Sequence, residues 1–173
     1  MLDLRTYIRD VPDFPRKGIV FKDITPLLSE PRALAQAVRQ MAARLERPEA
    51  VVAIESRGFV FGAALALQWG VPFVPARKFG KLPGRTVRHV YSLEYGQDTL
   101  EIHADAIRPG QRVVIVDDLL ATGGTAAATA CLVEQLEGKV EALLFLVELV
   151  GLGGREKLAS HPVEALLEFK VGA

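Results

Sequence analysis

Several short apolar runs stand out along the chain: Ala50–Ile54, Val71–Ala76, Val113–Val116, Val140–Leu149 and Val163–Phe169. They are rich in β-branched and aliphatic residues and have the length of strands buried on both faces. Between them apolar positions recur at helical spacing. Ser29-Glu30-Pro31 opens one such stretch, with Ala33, Leu34, Ala37, Val38, Met41 and Leu45 on one side. Phe59–Trp69 is a second, closed by Gly70, and Ala126 to about Leu136 a third, which Gly138 can close. Leu2, Leu4, Ile8 and Val11 alternate loosely with charged residues and predict an amphipathic N-terminal helix. Pro12 and Pro15 end it, and Asp13 to Pro26 reads as irregular. Within the polar stretch Arg77 to Arg108, Val87–Tyr95 and Thr99–His103 are expected as antiparallel arms, and a short helix over Arg155–Ala159 precedes the last strand. Strands alternating with helices predict an α/β protein with a mainly parallel sheet covered on both sides.

A chain of 173 residues makes one domain that buries about two-thirds of its unfolded surface. Lys plus Arg and Asp plus Glu both number 21, so no global charge points to nucleic acid or an anionic membrane, and anion binding has to be local. Cys131 is the only cysteine; a small buried hydrophobe on a helix is the expected role. His89, His103 and His161 share no ligand spacing. No apolar stretch has the length of a membrane span, and Met1-Leu2-Asp3-Leu4-Arg5 does not open a signal peptide. A cytoplasmic protein is expected.

The densest chemistry lies in Val113–Thr125, VVIVDDLLATGGT. A buried strand delivers Asp117 and Asp118 to its carboxyl end, where α/β sheets place their ligand crevices. Ala121-Thr122-Gly123-Gly124-Thr125 then turns into a helix. Free N–H groups and the positive end of the helix dipole make such a loop an anion cradle, to which Thr122 and Thr125 add hydroxyls. Two carboxylates beside an anion site repel it unless a sugar diol or a hydrated Mg²⁺ lies between. No Lys follows Gly124, so this is not a Walker A loop, and it is not GxGxxG. Glu55-Ser56-Arg57-Gly58 occupies the corresponding edge of the first core strand and can offer N–H groups, a hydroxyl and a guanidinium. Arg77, Lys78 and Lys81 crowd cations onto a loop after the next strand, either a solvated face or a counter-charge for a polyanion.

The Asp pair and the ATGGT loop resemble the phosphoribosyl-pyrophosphate (PRPP) motif of the type I phosphoribosyltransferases. The resemblance extends from Phe14 to Lys157 and includes ESRGFVFG (Glu55–Gly62), YSLEYG (Tyr91–Gly96), FPRKGIVFKDITPL (Phe14–Leu27) and VELVGLGGREK (Val147–Lys157). It implies a single domain over 1–173, with a small base-binding hood from about residues 1–30 and a mobile β-hairpin loop. Asp117 and Asp118 would bind ribose, and Ala121, Thr122, Gly123, Gly124 and Thr125 the 5′-phosphate. Glu55, Ser56, Arg57, Arg77, Lys78 and Lys81 would bind pyrophosphate, with Lys81 often reaching in from a partner subunit, and a non-proline cis peptide is expected at Glu55–Ser56. Glu55 stands where Asp is commoner, and Lys22 where Arg is.

The segments resemble the adenine-specific branch, which implies transfer of the 5-phosphoribosyl group of PRPP to adenine, giving AMP and pyrophosphate. Val20, Phe21 and Lys22 would bind adenine, and Arg57, Glu94 and Tyr95 would be catalytic, Glu94 taking the N7 proton. A backbone N–H and C=O near Val20 select adenine, because hypoxanthine reverses both roles and leaves two buried groups unpaired. Ala121, where enzymes for 6-oxopurines commonly have Asp, agrees. Mg²⁺ is implied, held by substrate and waters, and so is a homodimer. Alternatives are a transferase for another base and a PRPP-sensing regulator without turnover; no DNA-binding extension supports the latter.

Overall fold

The computed structural model describes residues 1–93 and 96–171 of the chain. It divides into two compact units, Met1–Gln40 and Met41–Ala173.

In the first unit a 3-10 turn, Leu4–Tyr7, is capped by Asp3, whose Oδ1 accepts the Arg5 N–H at 3.0 Å. Strand β1 (Arg9–Pro12) follows and pairs antiparallel with β2 (Val20–Asp23). The expected amphipathic helix is therefore absent, and part of the stretch read as irregular is strand. The register explains why: Arg9 faces Asp23 and Asp10 faces Lys22, so opposite charges pair directly across the ladder. The Arg9 charge and the Thr25 donors hold Asp23 down at about 2, the Thr25 N–H contributing most. Helix α1 (Thr25–Ser29) and helix α2 (Pro31–Ala42) complete the unit, the latter ending earlier than Leu45.

The second unit opens with β3 (Ala50–Ile54), buried throughout, and α3 (Gly58–Trp69), closed by a left-handed Gly70 at φ 63°. Then come β4 (Phe73–Lys78), β5 (Thr86–Leu93), β6 (Gly96–His103), β7 (Arg112–Leu120) and α4 (Gly124–Gln135). Strand β8 (Lys139–Val150), helix α5 (Gly154–Lys157) and strand β9 (Val163–Lys170) end it. The sheet order is β5-β6-β4-β3-β7-β8-β9; β4, β3, β7, β8 and β9 run parallel, and β5 and β6 form an antiparallel arm. This is the mainly parallel α/β sheet the pattern predicts.

Three local readings change. Arg77 and Lys78 belong to the end of β4, where they pair with β6, and not to a loop. The left-handed residue after α4 is Glu137, at φ 59°, and not Gly138. A side chain at Gly138 would come within 2.7 Å of Ile107 and 2.9 Å of Val133, so that glycine serves packing. Cys131 on α4 is half-buried.

Strand order reverses between β3 and β7: one chain path leaves β3 towards β4, the other leaves β7 towards β8. Pairing of β7 with β3 stops at Val116, while pairing with β8 continues to Leu120. The two strands separate at their carboxyl ends, and the crevice expected at such a switch point opens there.

Candidate active site

Two loops meet at this crevice. From β3, Glu55-Ser56 forms the expected non-proline cis peptide, and Arg57 leads into α3. From β7, Asp117 and Asp118 precede the turn into α4. A cavity of about 280 Å³ is lined by Glu55, Ser56, Arg57, Lys78, Asp117, Asp118 and Thr125, together with Tyr91 and Asp98. A smaller recess of about 100 Å³ lies beside it along Ala121–Thr125. Seven residues singled out in the sequence as ribose, pyrophosphate and phosphate contacts thus share one cavity wall.

The surroundings of the Asp pair shift both carboxyls. Burial raises both carboxyls above the usual range, Asp117 most, where the charge of Asp118 adds to it. The Asp118 N–H donates to Asp117 Oδ1 at 2.8 Å. Arg57 Nε lies 3.0 Å from Asp118 Oδ2, a charge contact without hydrogen-bond alignment, for that buried oxygen accepts no aligned hydrogen bond among the described residues. Such an oxygen, with a cation beside it but no aligned donor, has room for one further hydrogen bond or ligand contact.

The Ala121–Thr125 loop depends on close backbone approach. Gly123 sits at φ 79°, reverses the chain before α4, and lies against Gly154, whose carbonyl oxygen is 2.9 Å from where a Gly123 Cβ would stand. Gly154 in turn has no room for a side chain beside the Ala121 carbonyl. Its helix is pinned by Arg155, which donates to the buried Glu148 carboxylate at 2.8 and 2.9 Å and to the Val163 carbonyl at 2.7 Å. The GLGGREK segment is thus the back wall of the loop, a role sequence reasoning leaves undefined. Lys157 Nζ stands 4.0 Å from the position a Gly124 Cβ would take.

The basic cluster is organised by carboxylates. Glu55 accepts from Arg77 Nε at 3.0 Å and from the Lys78 N–H, so its extra methylene spans from β3 to β4. Lys78 Nζ lies 3.0 Å from Asp98, and this bond keeps the Lys78 ammonium charged beyond its ordinary range. Burial alone would raise Asp98, yet Lys78 and the Thr99 N–H hold it low. The Tyr91 hydroxyl lies 3.4 Å from both Asp98 and Thr125, joining the β-arm to the start of α4. Sequence alone gives Tyr91 and Asp98 no role at the site, because only the hairpin register, which pairs them, reveals their proximity. Lys81 is exposed and does not line the cavity.

Val20, Phe21 and Lys22 lie together on β2 of the first unit. Phe21 packs edge-on against Phe14 at 5.2 Å between ring centres, and Lys22 Nζ is 2.6 Å from Asp10. Glu94 and Tyr95 lie outside the described residues.

Comparison with known proteins agrees with this geometry. The family model for the phosphoribosyl transferase domain matches residues 25–153, and the chain belongs to that family. A protein of Natranaerobius thermophilus called adenine phosphoribosyltransferase is 55% identical over 171 residues, 98% of this chain and 100% of that one. The crystal structure of the adenine phosphoribosyltransferase of Thermoanaerobacter pseudethanolicus superposes with a TM-score of 0.94 at 53% identity, covering 96% of this chain and 98% of that one. That of Saccharomyces cerevisiae, complexed with an imino-altritol bisphosphate and adenine, gives 0.89 at 43% identity, covering 95% and 96%. This full-length likeness places the chain in the adenine phosphoribosyltransferase branch of the family.

Proposed function

We propose that this chain transfers the 5-phosphoribosyl group of PRPP to adenine, giving AMP and pyrophosphate, the reaction of purine salvage. The observation that carries this reading is the shared crevice: a ribose-suited carboxylate pair, an N-terminal anion loop and an arginine-bearing loop at one switch point. Asp117 and Asp118 would accept hydrogen bonds from the ribose diol, and the Ala121–Thr125 N–H groups would hold the 5′-phosphate. Ser56 would donate a hydrogen bond to pyrophosphate, and Arg57 and Lys78 would neutralise it as it leaves, with Arg77 and Lys81 adding charge. Positive charge develops at the anomeric carbon as the bond to pyrophosphate loosens. Most of the acceleration comes from positioning, leaving-group neutralisation and exclusion of water.

Val20, Phe21 and Lys22 are assigned to adenine, and Glu94, with Tyr95 beside it, to the N7 proton. These roles rest on the resemblance of their segments to the adenine-specific branch.

Mg²⁺ fits this edge. Asp118 Oδ2 is buried without an aligned hydrogen bond, and two hard carboxylates suit the ion or its waters. Substrate oxygens and waters would complete its shell. Bound there, the ion would supply charge neutralisation to the diphosphate.

No helix among the described residues is long and apolar enough to cross a membrane. A cytoplasmic homodimer completes the reading. An assay of AMP formation from PRPP with adenine, hypoxanthine and guanine in turn tests it. Turnover with adenine alone is expected. Turnover with another base, or binding of PRPP with no product, overturns it.

A further inference from the structure

We propose that Glu101 is a positioning residue, a buried carboxylate that clamps the turn carrying Lys81 so that the lysine ammonium is presented to the substrate's pyrophosphate. The proposal rests on the phosphoribosyl-transfer reading above.

Glu101 lies mid-strand in β6 between Leu100 and Ile102, both of which join the hydrophobic core. Strand alternation turns Glu101 to the opposite face of the sheet, yet it is only 1% exposed. A carboxylate buried this deeply needs a full set of donors. Its Oε1 accepts the Gly80 N–H at 3.0 Å and the Leu82 N–H at 3.2 Å, the two amides that flank Lys81. Its Oε2 accepts from Thr86 Oγ1 at 3.1 Å and Arg88 Nε at 3.3 Å. Burial would raise the carboxyl, but the donors from Leu82, Thr86 and Gly80 and the Arg88 charge hold it below the usual range. It is an ionised clamp.

The backbone of Lys81 itself is held on both sides. Its N–H donates to the Lys78 carbonyl at 3.2 Å, and its carbonyl accepts from Arg77 Nη1 at 3.2 Å. Arg77 is in turn held by Glu55, so the turn is wired to the loop at the crevice. The Lys81 side chain is exposed and makes no hydrogen bond or ion pair among the described residues. A fixed backbone bearing a free ammonium is preorganised for an anion, because the ordering cost of the turn is met before the ligand arrives.

The test uses the full chain with Glu101→Gln, Lys81→Ala and the double variant. Each single change is expected to raise the KM for PRPP roughly tenfold while the KM for adenine stays within about twofold, and the double variant should lose no more than either single one. Trypsin should cut the Lys81–Leu82 bond of ligand-free Glu101→Gln about tenfold faster than that of the parent. A parental KM for PRPP in Glu101→Gln, or losses that multiply in the double variant, overturns the proposal. Should Glu101→Gln not fold, Thr86→Val removes a single donor; about a threefold rise in the KM for PRPP with faster nicking at Lys81 supports the clamp, and parental values for both overturn it. The nicking rate needs no substrate, so failure of the clamp is separable from failure of the reaction assigned above, which the parent's AMP formation measures alone.

Discussion

Gly58 lies so close to Asp117 that a Cβ on the glycine would stand 2.7 Å from Asp117 Oδ1. The same Cβ would be 3.1 Å from the Asp117 Cα and the Val116 carbonyl oxygen, which belong to backbone and cannot swing away. The first turn of α3 thereby sets the position of a carboxylate on the neighbouring strand. The two loops of the crevice are one mechanical unit, and that is why a glycine follows Arg57.

The first prediction follows from this contact. Gly58→Ala forces Asp117 and the strand end apart, and overpacking of this kind costs about 1–3 kcal/mol. The variant is expected to fold with a lower thermal midpoint and to lose at least tenfold in kcat/KM for PRPP. Steady-state kinetics with PRPP varied checks it, and parental kinetics would remove the proposed coupling between the loops.

Asp117 gives a prediction in which stability and activity move in opposite directions. Its carboxyl is raised in the folded state by burial and by the charge of Asp118. A raised carboxyl favours folding below its ordinary value of 3.8 and withdraws that support as pH rises through the folded value. Asp117→Asn, which cannot ionise, is therefore expected to melt a few degrees higher than the ligand-free parent at pH 7. At a pH near 3.5 (roughly the ordinary carboxyl range) the difference should close. The same variant should use PRPP poorly, having lost a charge assigned to ribose or its hydrated metal. Thermal melts across pH and a PRPP titration at pH 7 test the two halves separately. A variant that melts below the parent at pH 7 contradicts the electrostatic assignment.

Gly154→Ala probes the back wall of the Ala121–Thr125 loop. A Cβ there would collide with the Ala121 carbonyl oxygen and lie 2.9 Å from two Leu120 side-chain atoms. The loop would have to move, and with it the N–H groups assigned to the 5′-phosphate. AMP binding should weaken by more than tenfold (about 1.4 kcal/mol per tenfold), with adenine KM little changed. Calorimetric titration with AMP measures this. Unchanged AMP affinity would show that the Ala121–Thr125 cradle does not need its partner.

Much of this architecture is legible in the sequence, and the misses have physical causes. β3 is a fully apolar run and β7 and β8 carry the apolar cores Val113–Val116 and Ala142–Val147, whose burial leaves little choice of conformation, and Gly70 closes α3 as read. The N-terminal segment fails because charges at positions 9, 10, 22 and 23 pair across a two-stranded ladder, information that no local periodicity holds. Gly138 misleads because a glycine can answer to packing as well as to backbone angle, and here Ile107 and Val133 decide. The Asp pair, the ATGGT loop and the ESRG loop were readable because each is contiguous. Gly154, Asp98 and Tyr91 are not, since they reach the site through residues distant in sequence: Gly123 and Ala121 for Gly154, Lys78 for Asp98 and Thr125 for Tyr91.

The last prediction concerns Glu94, the residue assigned to chemistry rather than to binding. If its carboxylate takes the N7 proton as the glycosidic bond forms, Glu94→Gln keeps size and hydrogen-bonding capacity but removes the base. General acid–base contributions are typically about a hundredfold to ten-thousandfold, so the chemical step should slow by at least about a hundredfold. Steady-state kcat can hide such a loss when product release is slower than chemistry. Single-turnover measurement with PRPP and adenine saturating isolates the step. Binding of PRPP should be nearly unchanged, because Asp117, Asp118, Arg57 and the phosphate loop are untouched. That pairing, slow chemistry with intact PRPP affinity, separates a proton-transfer role from one in closing the site, which would weaken both. A Gln variant that forms AMP at the parent single-turnover rate removes Glu94 from the chemistry and leaves the N7 proton to solvent or to the tautomers of free adenine.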